Sequence, residues 1–208
     1  DDVIKDKAIK AAQRIQDRYG HALHIKFINQ TLKGVLDLQA RKWFDLAAEF
    51  VDIIGGLPGT DLGREDEHLD VLFSTAKQRH KLLHIHVDQF NTARETETEL
   101  LVKKVQQYKM NGRVTAIHGV SIAAHKKLYR NMLYANMKKC GVSLITCPTA
   151  WIDSRRTEEF GPSHNAIAPV EELVAAGITI GIGTDNIADI YKPFTNGDMW
   201  TELRFLLE

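Results

Sequence analysis

Three residues in this sequence combine the right chemistry with a regular spacing. His86 stands at the end of the apolar run 82–87, His118 at the end of 114–118, and Asp185 just after 178–183. Two imidazoles and a carboxylate are suitable ligands for a divalent ion of the Zn, Fe or Mn type. Such an ion lowers the pKa of a bound water to about 7 and supplies hydroxide at neutral pH. Burying an aspartate at the end of an apolar run is costly unless a cation or several donors compensate it. Gln30, Asp88, Gln89, Thr184 and Asn186 occupy comparable positions after apolar runs and are candidates to meet a substrate. Asn186 beside Asp185 also fits plain turn chemistry. His84 faces the same side as His86 but lies deeper in the run, and it reads as a core group. His24, His68, His80, His125 and His164 read as surface or loop residues.

Positioning these groups requires elements that alternate strictly. Short β-branched apolar runs at 23–28, 50–54, 82–87, 114–118, 142–147 and 178–183 read as six strands. Amphipathic stretches at 3–19, 39–49, 65–80, 95–110, 122–139, 169–176 and 198–208 read as helices. In the third of these, Leu69, Leu72, Phe73 and Ala76 fall at i, i+3, i+4 and i+7, one apolar stripe. Strand–helix alternation with near-continuously apolar strands predicts a parallel α/β sheet of right-handed units. Reactive groups in such a sheet collect at the C-terminal strand ends. The spacing agrees: 32 residues separate His86 from His118, and 99 separate His86 from Asp185, three steps of 33. A closed (β/α)₈ barrel needs eight strands and about 250 residues, so this chain is short by about two βα units.

Composition bounds the function. Lys plus Arg and Asp plus Glu are both 27, giving zero net charge, which supplies no electrostatic basis for binding nucleic acid or an anionic membrane. Apolar residues at 44% and charged residues at 26% are ordinary for a globular domain. The two cysteines, Cys140 and Cys147, exclude a disulfide framework and favour a reducing, cytoplasmic setting. Gly55-Gly56-Leu57-Pro58-Gly59 lacks the spacing of a phosphate loop, yet could leave room for a ligand near the strand ends.

At the level of motifs the sequence resembles the amidohydrolase superfamily, in its cytosine-deaminase-like branch. Leu83-His84-Ile85-His86-Val87-Asp88 resembles the strand-five motif, Thr115-Ala116-Ile117-His118-Gly119 that of strand six, and Gly183-Thr184-Asp185-Asn186 that of strand eight. The run Asp185-Asn186-Ile187-Ala188-Asp189, with Pro193-Phe194 and Asn196-Gly197-Asp198-Met199, is similar to triazine-degrading members of the branch. Phe27-Ile28-Asn29-Gln30 falls where the branch has a strand-three glutamine that contacts the pyrimidine. Reading His84-Ile85-His86 as the strand-one pair would leave about 14 residues for each later unit, too few for a helical crossover.

The resemblance implies a (β/α)₈ TIM barrel of the metal-dependent hydrolase type, present here as strands three to eight in one partial catalytic domain. It implies one divalent metal ion (Zn, Fe or Mn) held by His86, Asp185 and His118, or by the first two with His118 polarising the substrate oxygen. It implies hydrolysis of a C–N bond, as deamination or as amine or amide release, in a small nitrogen heterocycle or cyclic amide. Asp185 and His118 would be catalytic, while Gln30, Asn186, Asp88, Gln89 and Trp151 would meet the substrate. Arg155 and Arg156 would line the pocket or simply keep the long loop solvated. The chain departs from the pattern twice: Gln89 stands where the branch has a catalytic glutamate, and the strand-one His-x-His is absent. The sequence therefore reads as an internal piece of a longer enzyme. The alternative is a catalytically incomplete partial barrel that works through association with a complementary chain, or as a homo-oligomer.

Overall fold

The computed structural model describes residues 4–151 and 167–207, with the backbone alone described for Trp151. Its helices are α1 (Lys7–Tyr19), α2 (Leu38–Phe50), α3 (Glu65–Gln78), α4 (Glu97–Tyr108), α5 (Lys127–Cys140), α6 (Pro148–Trp151), α7 (Val170–Ala175) and α8 (Met199–Leu207). The strands are β1 (Ile53–Gly56), β2 (Leu82–Val87), β3 (Val114–His118), β4 (Ser143–Thr146) and β5 (Ile180–Ile182), in the sheet order β1-β2-β3-β4-β5. The pairings β1–β2, β3–β4 and β4–β5 are parallel, as strand–helix alternation requires. The chain divides into two compact units, residues 1–85 and 86–208. No described helix is long and apolar enough to cross a membrane.

In the first unit Ile53 pairs with Leu82 and Gly56 with Ile85. The stripe seen in the sequence is the buried face of α3: Leu69, Leu72, Phe73 and Ala76 are all fully buried. The expected strand at 23–28 is reduced to one parallel bridge, Ile28 to Ile53. The Phe27 carbonyl accepts the Asp52 and Ile53 N–H groups, and side chains add to this pairing. Asn29 donates from Nδ2 to the Gly55 carbonyl at 3.0 Å and accepts the Gly55 N–H on Oδ1 at 2.9 Å. Asp52 accepts the Phe27 N–H at 2.8 Å. A β-carbon at Gly55 would lie 1.9 Å from the Asn29 carbonyl oxygen, and one at Gly56 would lie 2.0 Å from Leu72. The space these glycines leave is thus filled by protein, not kept for a ligand. The second expected strand begins at Ile53 rather than at residue 50, because Phe50 ends α2 and the Val51 N–H still bonds the Ala47 carbonyl.

Helix α2 would otherwise end on unmatched carbonyls. Lys81 Nζ donates to the carbonyls of Ala48 at 2.7 Å, Glu49 at 3.2 Å and Val51 at 2.5 Å. A lysine at the start of one strand thereby closes the helix before the previous one. His68 is a correction to the sequence reading: it is fully buried, with Nδ1 2.6 Å from Asp61 Oδ2. The same Asp61 oxygen accepts the Val35 N–H at 2.8 Å.

In the second unit Thr115 pairs with Ser143 through backbone register and a 2.8 Å hydroxyl contact, and β4 pairs with β5 from Leu144–Ile180 to Thr146–Ile182. The helix expected over 122–139 is split. A 3₁₀ turn covers Val120–Ala124, and α5 starts only at Lys127, because His125 and Lys126 are extended. His125 is not a free surface group: its Nε2 lies 2.7 Å from the Glu95 carbonyl and its ring stacks on Tyr129. Helix α5 stops where Gly141 takes a φ of +63°, as a terminal glycine should. Arg130 grips Glu172 on α7 through Nε at 2.8 Å and Nη2 at 2.7 Å, and Tyr134 donates to the same carboxylate. Both cysteines are free thiols and buried.

These contacts have two consequences for stability. Lys81→Met leaves the end of α2 uncapped and should lower unfolding stability by about 1–2 kcal/mol, read as a fall in chemical-denaturation midpoint. The fork from Arg130 holds the Glu172 carboxyl at about 2, below its ordinary 4.5. A depressed carboxyl stabilises the fold above the unfolded pKa and loses that contribution as pH falls through the folded one. Glu172→Gln should therefore cost about 1 kcal/mol at pH 6, and the gap to the parent should shrink between pH 4.5 and 2 in paired thermal melts.

Candidate metal centre

All three groups singled out by their spacing lie in the second unit, and the structure brings them together. His86 is the penultimate residue of β2, His118 the last of β3, and Asp185 lies three residues beyond β5. His86 Nδ1 is 3.0 Å from His118 Nε2, and His118 Nε2 is 3.9 Å from Asp185 Oδ2. One donor atom from each residue falls within 4.8 Å of the others. Among the described residues this is the one such group of three. Donors about 2.1 Å from a shared tetrahedral ion stand roughly 3.4 Å apart, and the two measured separations bracket that value.

The strand ends are shaped for this. His118 has a φ of +75° and Asp185 of +58°, the left-handed region that costs an ordinary residue about 1–2 kcal/mol. His and Asp are among the types found there most often. Each breaks the strand's alternation at the residue that carries the donor.

Electrostatics prepare the set for a cation. His118 is 1% exposed, and burial, with the neighbouring His86, pushes its pKa well below the ordinary histidine value. The ring is thus neutral at pH 7 and has a lone pair to give. Burial raises the Asp185 carboxyl, and the charges of Asp189 and Glu202 add to that rise. An ion placed among the donors would reverse that penalty. The residues present therefore fit a divalent metal in donor type, charge and separation.

The remaining candidates have other surroundings. His84 is half-buried, and burial lowers its pKa. Asn186 donates from Nδ2 to Asp189 Oδ2 at 2.5 Å, within the turn that leaves β5. Gln89 is partly buried directly after Asp88. Asp88 is 1% exposed, and its carboxylate accepts the N–H groups of Glu97 and Thr98, so it faces the start of α4. Gln30 belongs to the first unit, where its Oε1 accepts the Thr31 N–H at 3.3 Å. It borders a cavity of about 350 Å³ shared with Phe27, Trp43 and Phe44. Trp151 ends α6, and its side chain lies outside the described residues, as do Arg155, Arg156 and His164.

Several supporting residues carried no signal in the sequence. Cys147 packs with Ile117 and Ala150, and its thiol, raised to about 12 by burial, lies 3.2 Å from where a β-carbon on Gly183 would be. Glu202 on α8 is 2% exposed and receives the N–H and hydroxyl of Thr149 at the start of α6. An acidic residue in the first turn of a helix usually reads as a dipole partner on the surface, which hides such a role.

The amidohydrolase family model matches residues 28–208. An uncharacterized protein of Haemophilus influenzae is 49% identical over 177 residues, which cover 84% of this chain and 64% of that protein. The N-isopropylammelide isopropyl amidohydrolase of Pseudomonas sp. strain ADP is 27% identical over 96% of this chain and 47% of its own length. Among solved structures, the 5-methylcytosine deaminase of Klebsiella pneumoniae liganded with 5-fluorocytosine superposes with a TM-score of 0.88 at 23% identity, over 96% of this chain and 49% of that one. The N-isopropylammelide isopropylaminohydrolase of Burkholderia multivorans gives 0.81 at 22%, over 97% and 49%. The chain thus spans about half the length of most of these relatives, and its five strands match the parallel α/β barrel fold of the two superposed structures over that half. The chain belongs to the amidohydrolase family.

Proposed function

We propose that this chain carries part of the active site of a metal-dependent hydrolase that cleaves a C–N bond in a small nitrogen heterocycle or cyclic amide. The observation that carries the reading is the approach of three metal-type donors from three strand ends, at 3.0 and 3.9 Å. Names of relatives supply the substrate class: one acts on N-isopropylammelide and another is a 5-methylcytosine deaminase. His86, His118 and Asp185 would hold one divalent ion of the Zn, Fe or Mn type. When bound, such an ion makes hydroxide available from water at neutral pH and polarises an oxygen or nitrogen of the substrate.

The chain's own groups account for the proton and for orientation. Asp185, whose carboxyl is raised by burial, takes a proton from the attacking water and returns it to the departing nitrogen. His118, kept neutral, offers Nε2 either to the ion or to the substrate atom on which charge develops. Gln89 cannot carry a proton, so its part is to orient the ring by hydrogen bonds, together with Asn186. The side chain of Asp88 is turned into α4, which takes it out of the substrate-contact set in this reading.

A second reading rests on the coverage of 47–49% of several relatives. In it the 208 residues bind the ion incompletely and turn over substrate only with a complementary chain. Size-exclusion chromatography of the chain alone, against a mixture with the matching half of a relative, separates the two readings.

The parent chain reconstituted with Zn²⁺ or Mn²⁺ should hold about one ion by elemental mass spectrometry. His86→Ala and Asp185→Ala should each lower its metal affinity more than tenfold, beyond the effect of losing a supporting residue. Ammonia or amine release from cytosines, triazines and cyclic ureas should fall in step. Unchanged occupancy and turnover in both variants would overturn the proposal.

A further inference from the structure

Asp88 lies two residues beyond His86, where β2 leaves the sheet. It is a costly place for an aspartate. The side chain is buried, and the backbone sits at a φ of +55°. Each cost has a visible counterpart. Oδ1 accepts the Glu97 N–H at 2.8 Å and Oδ2 accepts the Thr98 N–H at 3.2 Å, so the carboxylate closes the N-terminus of α4. Thr96, the residue that would ordinarily do this, makes no side-chain cap. In return Glu97 Oε2 accepts the Asp88 N–H at 3.0 Å. This is the reciprocity of a capping box, but it joins residues nine apart and so pins both ends of the segment between them.

The backbone of the same residue reaches the neighbouring strand end. The Asp88 carbonyl accepts the Ser121 N–H at 2.9 Å, and the Val87 carbonyl accepts the Gly119 N–H at 3.1 Å. Gly119 and Ser121 lie one and three residues beyond His118. A second tie closes the assembly: Glu95 accepts the Ser121 hydroxyl and the Phe90 N–H, while Ser121 Oγ accepts the Thr92 N–H at 3.1 Å. The backbone and both carboxylate oxygens of Asp88 thereby help to hold two strand ends and one helix start.

We infer that Asp88 is a positioning residue: with Glu97 as its reciprocal partner it sets His86 Nδ1 against His118 Nε2. The inference rests on the proposed function only in assigning a cation to those nitrogens; the positioning itself is a property of the metal-free chain. Because the two residues bond each other reciprocally, two independent variants probe it. Asp88→Asn keeps the size but turns an amide N–H toward the Thr98 N–H. Glu97→Ala leaves the Asp88 side chain intact and removes the acceptor for its N–H.

The experiment uses the full 208-residue chain with ¹⁵N-labelled histidine. Imidazole nitrogen resonances are recorded without metal at one fixed pH, followed by titration with Co²⁺ alone. Both variants should shift the His86 and His118 ring resonances and weaken Co²⁺ binding about tenfold, with a changed visible absorption of the bound ion. Lys81→Met, which loosens α2 in the other unit, should lower thermal stability without moving either ring. Unmoved ring resonances in folded Glu97→Ala, or in Asp88→Asn where that variant folds, would overturn the inference. Absence of Co²⁺ binding by the parent would count against the cation reading alone, since the metal-free spectra still decide the positioning.

Discussion

The second unit depends on one constraint: donor atoms from three different strands must approach within about 3–4 Å of each other while each stays attached to a strand that ends there. Adjacent strands in a sheet are about 4.8 Å apart, so backbone spacing alone leaves the side chains to close the gap. The chain does this by ending β3 on a left-handed histidine and by placing a left-handed aspartate after β5. Such conformations persist only when the surroundings over-determine them. The surroundings here are buried hydrogen bonds, such as Gly119 N–H to the Val87 carbonyl and Gly183 N–H to the Thr146 carbonyl, which carry strand pairing a residue past the end of the regular ladder.

The electrostatic consequence is a place where lone pairs and negative charge are gathered together. The neutral His118 ring faces the His86 ring at 3.0 Å, so the two nitrogens either share a proton or oppose lone pairs. A carboxylate near Asp189 and Glu202 adds negative charge to a partly buried place. Elsewhere in the same unit buried acids are answered by donors: Asp88 by two backbone N–H groups, Glu202 by Thr149, Glu172 by Arg130. Asp185 differs from them, since the charge that opposes its rise comes from Lys192.

Much of this is legible in the sequence because the fold has a period. A βα unit of about 33 residues carries its chemistry at the same place in every step, so inspecting the residues just beyond each apolar run is enough to find His86, His118 and Asp185. Apolar periodicity likewise picks out the buried face of α3. Periodicity does not say which polar group satisfies which. The 23–28 run has strand composition, yet its pairing shrinks to one bridge and two bonds on the Phe27 carbonyl, supplemented by the Asn29 and Asp52 side chains. His68 reads as a surface residue because its partner, Asp61, comes from the preceding loop rather than from its own helix face. The break at His125–Lys126 is likewise a tertiary event, tied to the Glu95 carbonyl thirty residues earlier.

Asp88 shows the same limit at the site itself. An acid two residues after a candidate ligand invites a chemical role, and sequence offers nothing against it. The decisive fact is the direction of the side chain, which depends on where α4 begins. Because Thr96 leaves its own helix uncapped, the N–H groups of Glu97 and Thr98 need an acceptor, and the nearest strand end supplies it. A carboxylate there is favoured by the two N–H groups and the helix dipole, while burial still holds its pKa above the ordinary carboxylate value.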